Sequence, residues 1–138
     1  MKQKNLKNSY KKRPSLSQKA KLVYEKNYTE NRSGKGVINK ITLFLESWMH
    51  IKIAKKNFLP YSDILEIGAG SLNHVKFEKN FKLYDVIEPY DQLFLLSSSK
   101  IDKINRRYYN ITKIKKTYDR IISIAVLEHI EDLWGTIN

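Results

Sequence analysis

The chain contains no cysteine, which excludes a disulfide framework and any metal site built from thiolates. It also lacks a long apolar run: the most apolar stretch, 41–53, is interrupted by Glu46, His50 and Lys52 and is too short to span a bilayer. No apolar segment follows the basic N-terminus, as a signal peptide would require. These absences, which are compatible with a reducing compartment, predict a cytoplasmic protein without a membrane partner.

Acidic residues are missing from the N-terminal segment: residues 1–21 hold eight Lys or Arg and no Asp or Glu. This segment accounts for most of the net charge of +12 and leaves +4 for the rest of the chain. A basic arm of this kind either stays a solvated, disordered tail or holds RNA phosphates through counterion release. The length of 138 residues, with 41% hydrophobic and 29% charged side chains, is typical of one globular domain.

Apolar periodicity divides the rest of the chain into an N-terminal helical segment, 22–60, and an α/β domain, 61–138. Helices are predicted at 22–31, 37–58, 73–80 and 91–98, with a helix or loop at 126–133. Strands are predicted at 63–67, 82–88, 107–111 and 118–125. Because strands alternate with helices, the expected fold class is α/β, with a mainly parallel, doubly wound sheet covered on both faces. We interpret Trp48, Tyr24 and Tyr28 as packing residues.

Three motifs follow the predicted strands. The first strand runs into Glu66-Ile67-Gly68-Ala69-Gly70, and the second ends at Glu88, 18 positions after Gly70. Glycine lets the backbone turn sharply and approach a ligand, and an acid at this spacing can accept hydrogen bonds from ribose hydroxyls. The third motif is the stretch 118–129, which ends in Glu128-His129. A dinucleotide site would need a third glycine at Asn73, and it gives no role to Glu66.

The motifs at 65–70, 85–89 and 126–130 resemble those of class I S-adenosylmethionine (SAM)-dependent methyltransferases, especially those acting on sugars, quinones and lipids. The resemblance covers residues 63–133 and implies a Rossmann-like fold with SAM as cofactor. It implies that Glu88 holds the ribose. The family often has another glycine at position 72, where this chain has Leu72. It further implies three groups of cofactor contacts: Glu66, Gly68, Ala69 and Gly70 at the methionine part, Asn110 and Ile111 at the adenine, and Ala125 and Val126 lining the site.

The catalytic chemistry is less defined. His129 is either a general base, since histidine titrates near neutral pH, or a residue that shapes the site and the start of the next helix. Methyl transfer from a sulfonium to a nucleophilic acceptor needs mainly positioning, so no catalytic residue is assigned. His50 lacks a second histidine at ligand spacing, and no metal site is predicted. Residues 32–35 form either a plain loop or a lid that contacts an anion.

The resemblance implies seven strands, of which four are predicted here, in the spatial order three, two, one, four. The fourth strand would then be an exposed edge. We expect that the chain lacks the C-terminal part of the domain, as a fragment, as a truncated or frameshifted gene product, or as a natural minimal domain. The favoured hypothesis is a methyltransferase, or its N-terminal part, acting on a small-molecule acceptor. The alternative is an inactive truncated remnant or an interaction module whose basic arm contacts RNA.

Overall fold

A computed structural model describes residue 15 and residues 17–32 and 37–137. Residues 1–14 and 16 of the predicted basic tail lie outside these ranges, and so does the loop at 33–35. The expectation of a disordered or RNA-binding arm therefore falls mainly on residues that the structure does not describe. The division of the chain at residues 21 and 60 stays a prediction.

Four parallel strands form one sheet in the order β3-β2-β1-β4. Their bounds are Ser62–Ile67 for β1, Phe81–Ile87 for β2, Arg106–Tyr108 for β3 and Arg120–Ser123 for β4. The predicted α/β fold class and strand order are confirmed, although β3 and β4 are shorter than the sequence pattern indicated. In the described part of the chain β4 lies at the edge, and its Ile121 is 62% exposed.

Alternating side chains of β1 and β2 supply both apolar layers, because successive residues of a strand point to opposite faces. One layer lies beneath the second helix and contains Ile64, Tyr84, Val86 and Ile122, together with Leu72 and Val75. The opposite layer is built around Leu65, Ile67 and Ile87, with Tyr108, Ile111, Ile114, Tyr118, Val126 and Ile130 packed against it. The central strands are therefore covered on both faces, as expected for a parallel sheet.

The opposite layer also contains one buried carboxylate, Asp85 of β2. Asn105 Nδ2 lies 2.8 Å from its Oδ1, and Tyr118 Oη and Lys116 Nζ lie 2.7 and 3.0 Å from its Oδ2. Burial raises the pKa of Asp85, but these three partners outweigh it and hold the pKa below its usual value. The ionised side chain thereby ties β2 to the segments that precede β3 and β4.

The helices differ from the predicted ones mainly in length. Helix α1 spans Gln18–Arg32 and begins four residues before the predicted start, whereas α2 spans Val37–Ala54 and ends four residues early. Helix α3 is confined to Asp91–Leu95, and Ser98–Lys103 forms a 3₁₀ turn. After β4 come a 3₁₀ turn at Leu127–His129 and helix α4 at Leu133–Ile137.

The predicted helix at 73–80 is wrong. This segment consists of turns, with Leu72 in the left-handed region at φ 54° just before it. Long-range hydrogen bonds from other elements hold it instead, including one between His50 Nδ1 and His74 Nδ1 and one from Arg120 Nη2 to Glu78 Oε1. Because these partners lie far away in the chain, no local pattern could reveal them.

The apolar stripe of α2 faces away from the sheet. Phe44 and Trp48 are 69% and 54% exposed, whereas the polar Glu46 and His50 point inward and His50 is buried. The interpretation of Trp48 as a packing residue is therefore wrong: its ring contacts Lys52, whose Nζ lies 5.4 Å from the ring centroid. Periodicity shows that a helix has an apolar face, but it does not tell which way that face points.

Candidate functional site

The glycine turn follows β1 directly and needs glycine for two reasons. Gly68 and Gly70 have φ values of +71° and +51°, a region that side chains disfavour. A Cβ on Gly68 would also lie 2.4 Å from a methyl carbon of Val126. The Gly68 N–H donates to the Ile87 carbonyl at 2.8 Å, so the turn is tied to the end of β2. The ends of β1, β2 and β4 therefore meet at Gly68.

Glu88 joins the glycine turn to the loop after β2. Its Oε2 accepts the Gly70 N–H at 2.7 Å, and its Oε1 accepts the Tyr90 N–H at 2.8 Å. The residue is only 3% exposed, and burial raises its pKa although both N–H groups and Arg107 oppose this. Each carboxylate oxygen has two lone-pair sites, so each can still accept one further hydroxyl.

Arg107 supports this loop from β3, a role that the sequence analysis missed. Its Nε donates to the Glu88 carbonyl and its Nη1 to Asp91, each at 2.8 Å. The guanidinium lies 4.4 Å from the Phe94 ring centroid and 4.3 Å from that of Tyr109. An arginine in a three-residue strand carries no signal for such a role, which depends on the pairing of β3 with β2.

Glu66 lies in the apolar layer beneath α2 and is 4% exposed. Its Oε2 accepts a hydrogen bond from the Tyr84 hydroxyl at 2.8 Å. Burial raises the pKa of Glu66 to about 8, and the same surroundings raise the pKa of Tyr84. At neutral pH this carboxyl is mainly protonated, so it can donate a hydrogen bond as well as accept one. Its contact with the methionine part of a cofactor stays a prediction.

The residues after β3 and β4 differ in whether they contact the glycine turn. Val126 packs on Gly68, and Ile111 packs in the same apolar layer as Val126. Ala125 has a left-handed φ of 52° immediately before Val126. Asn110 is exposed and caps its own turn, with Oδ1 accepting the Thr112 N–H at 3.1 Å. This cap directs the Asn110 amide oxygen to its own loop, and its contact with the adenine stays a prediction.

An aromatic contact brings α1 to this end of the sheet. The Tyr24 ring lies 5.6 Å from the His129 ring and 6.3 Å from that of Tyr90, measured between centroids. Because Tyr90 follows β2 and His129 follows β4, Tyr24 links the loops on either side of the glycine turn. This agrees with the packing role expected for Tyr24. The base role of His129 stays a hypothesis.

A cavity of about 460 Å³ lies away from the glycine turn, at the amino-terminal ends of β2 and β3, where Phe81, Lys82 and Asn105 line it. Within residues 17–32 and 37–137 there is no group of three His, Asp or Glu side chains that could hold a metal ion. Nor does any helix in these ranges have the length and apolarity needed to cross a membrane.

Comparisons with known proteins identify the fold. No protein-family model and no curated protein matches the chain. Among solved structures, magnesium protoporphyrin IX methyltransferase from Synechocystis PCC 6803, solved with bound SAM, is similar at a TM-score of 0.66. The identity is 14%, and the similarity covers 91% of this chain and 71% of that one. Coclaurine N-methyltransferase matches at a TM-score of 0.49 and 18% identity, over 68% of this chain and 31% of that one. The chain therefore has a Rossmann-like α/β fold similar to that of the first of these two methyltransferases.

Proposed function

We propose that the chain binds SAM at the carboxyl ends of its strands and takes part in methyl transfer to a small-molecule acceptor. The hydrogen bond between Glu88 and the Gly70 N–H supports this most directly. It joins the two motifs expected to contact the cofactor, in a fold similar to that of a methyltransferase solved with SAM. The acceptor contacts are not encoded in the fold, which hosts many substrates.

The residues present fit such a cofactor. Glu88 has lone pairs left for ribose hydroxyls, and its two backbone donors fix the carboxylate in place. The left-handed turn at Gly68–Gly70 lets the backbone approach a ligand where a Cβ would intervene. Glu66 is the residue proposed to face the methionine part, and Asn110 and Ile111 are those proposed for the adenine.

The chemistry then depends on positioning. When bound at this site, SAM would supply an electrophilic methyl group for an acceptor nucleophile. The protein's residues contribute by holding the reactants in line and keeping water out, because alignment alone can lower such a barrier substantially. His129, at the rim beside Tyr24, is the candidate to take a proton from an acceptor that carries one.

Calorimetric titration with SAM tests this proposal. Glu88→Gln keeps the shape of the side chain but removes its charge and one acceptor oxygen, so we expect affinity to fall roughly 10- to 100-fold. Asp102→Asn is the matched control, since this exposed acid lies far from the glycine turn. A folded wild-type sample that shows no binding at about millimolar SAM would contradict the proposal. Binding without methyl transfer to any acceptor would favour the inactive remnant instead.

A further inference from the structure

A line of polar side chains connects α2 to the segment after the glycine turn. His50 Nδ1 lies 3.0 Å from His74 Nδ1, and His74 Nε2 lies 2.8 Å from Glu78 Oε1. Both histidines are buried, and the His50 ring stacks on Phe77 at 5.7 Å between centroids. At the outer end, His50 Nε2 lies 3.5 Å from Glu46 Oε1, the upper limit for a hydrogen bond.

A neutral amide and a charged guanidinium hold the inner end of this line. Glu78 also accepts from Asn57 at 3.0 Å and from Arg120 of β4 at 3.2 Å. Burial raises the pKa of Glu78, but its hydrogen bonds to His74 and Asn57 and the charge of Arg120 outweigh this and lower it. An ionised Glu78 cannot donate, so the proton between Glu78 and His74 belongs to His74 Nε2.

The contact between the two Nδ1 atoms restricts how many protons the pair can hold. A hydrogen bond between two ring nitrogens contains one proton, so one nitrogen must donate and the other must accept. With His74 protonated on Nε2, the neutral pair satisfies this when His50 carries its proton on Nδ1. One additional proton fits on His50 Nε2, facing Glu46. A second additional proton would place N–H groups on both Nδ1 atoms and break the contact.

The hydrogen bond between His50 Nδ1 and His74 Nδ1, called the bridge below, holds a segment that forms neither a helix nor a strand. His74 is four residues beyond Gly70, and residues 71–80 form turns without a helix. Further side-chain bonds reach the same stretch: for example, Lys100 Nζ donates to the Ser71 carbonyl at 3.0 Å, and Asn73 Nδ2 lies 3.5 Å from Glu46 Oε1. The position of the chain just after the glycine turn therefore depends on contacts with α2.

We propose that His50 and His74 are positioning residues for the glycine turn, and that the bridge between them opens when acid protonates both rings. Opening would release residues 71–78 from α2, loosen the Gly70–Glu88 hydrogen bond and weaken cofactor binding in acid. The positioning role follows from the geometry of the bridge alone, whereas the effect on cofactor binding rests on the function proposed above.

The decisive variant is His50→Gln. A glutamine amide can offer its NH₂ to an unprotonated His74 Nδ1 or its carbonyl oxygen to a protonated one. It can therefore keep contact with His74 in both states and does not titrate. We expect wild-type affinity for SAM to fall roughly tenfold more than that of the variant when the pH is lowered from about 7.5 to the acid pH at which both rings are protonated, because only the second added proton breaks the contact. Glu88 titrates in both proteins, so only the difference between them counts.

Hydrogen exchange at the Gly70 amide gives a readout that needs no cofactor. We expect its protection factor to fall in acid in the wild type and to change less in His50→Gln. Equal acid dependence in the two proteins would overturn the proposal. If the wild type does not bind SAM, the proposed function fails, and the exchange measurement still decides the positioning role.

Nitrogen NMR of the wild-type histidine rings tests the bridge even if the variant does not fold. We expect His74 at neutral pH to carry its proton on Nε2 and His50 to carry one on Nδ1. Two rings that both carry their only proton on Nε2 would face each other with lone pairs, and this result would refute the shared proton.

Discussion

Replacing Glu66 with glutamine is expected to remove a large part of the pH dependence of folding between pH 5 and pH 8. Burial raises the pKa of this carboxyl from 4.5 to about 8. Over that interval the folded protein holds a proton that the unfolded chain has released. The free energy of unfolding must therefore fall as pH rises, with the contribution of Glu66 fully present below pH 4.5 and lost as pH passes through about 8.

The magnitude follows from the same pKa values. Each pH unit between them is worth about 1.4 kcal/mol. Raising the pH from about 5 to about 7.5 therefore lowers the stability of the wild type by up to about 3 kcal/mol through Glu66 alone. Glutamine is neutral throughout, and its carbonyl oxygen can still accept the hydrogen bond from the Tyr84 hydroxyl that lies 2.8 Å from Glu66. The variant is thus expected to match the wild type near pH 5 and to exceed its stability near neutral pH.

Urea denaturation at several pH values measures this difference. The comparison between variant and wild type isolates Glu66, because the other titrating groups are common to both proteins. Glu131→Gln serves as the control, since Glu131 is exposed and its replacement is expected to change stability by less than about 0.5 kcal/mol. Parallel curves for Glu66→Gln and wild type across this range would refute the assignment of Glu66 as a buried, protonated carboxyl.

Three further predictions concern the packing around the sheet. Gly68→Ala is expected to lower the free energy of unfolding by about 2–4 kcal/mol in urea denaturation, because the new Cβ would collide with Val126 and φ is +71°. Adding Val126→Ala should recover part of this loss, and full stability of Gly68→Ala would contradict the prediction. Trp48→Ser is expected to lower the free energy of unfolding by less than about 1 kcal/mol, whereas replacing the buried Ile64 with alanine is expected to lower it by about 2–5 kcal/mol. The reverse order would mean that the apolar stripe of α2 is buried. Asp85→Asn is expected to destabilise the protein most at neutral pH and progressively less in acid. The lowered pKa of Asp85 contributes stability that is lost as pH falls below about 4, so a pH-independent loss would refute this prediction.

The sheet and the centre of the candidate site could be predicted because their signals are local. A short apolar run that ends in Gly68-Ala69-Gly70 indicates a buried strand and a tight turn, and both are present. The spacing to Glu88 placed an acid at the end of the neighbouring strand, where its Oε2 lies 2.7 Å from the Gly70 nitrogen. These features depend on chain order and on the rule that parallel strands end at the same edge.

The rest depended on partners far apart in sequence. His74 and Glu78, at helical spacing, fit the predicted helix at 73–80, yet these side chains bond to His50 on α2 and Arg120 on β4. The same contacts determine which face of α2 points inward, since the His50 ring contacts the buried His74. A pattern of apolar residues cannot report a polar interface, so the pattern wrongly favours Trp48 as a packing residue.

The two motif glutamates show why residue type alone could not define the site. Glu66 and Glu88 are almost equally buried, at 4% and 3% exposed. Glu88 receives two backbone N–H groups, which favour the charged form and oppose the effect of burial. For Glu66 burial outweighs the hydrogen bond from the Tyr84 hydroxyl, and the nearby Glu78 and Glu88 add to the effect of burial, so the pKa rises to about 8. Their different donors thus suit Glu88 to accept hydroxyls and Glu66 to act as a neutral hydrogen-bonding group, a distinction that arises only when the loops after β1 and β2 come together.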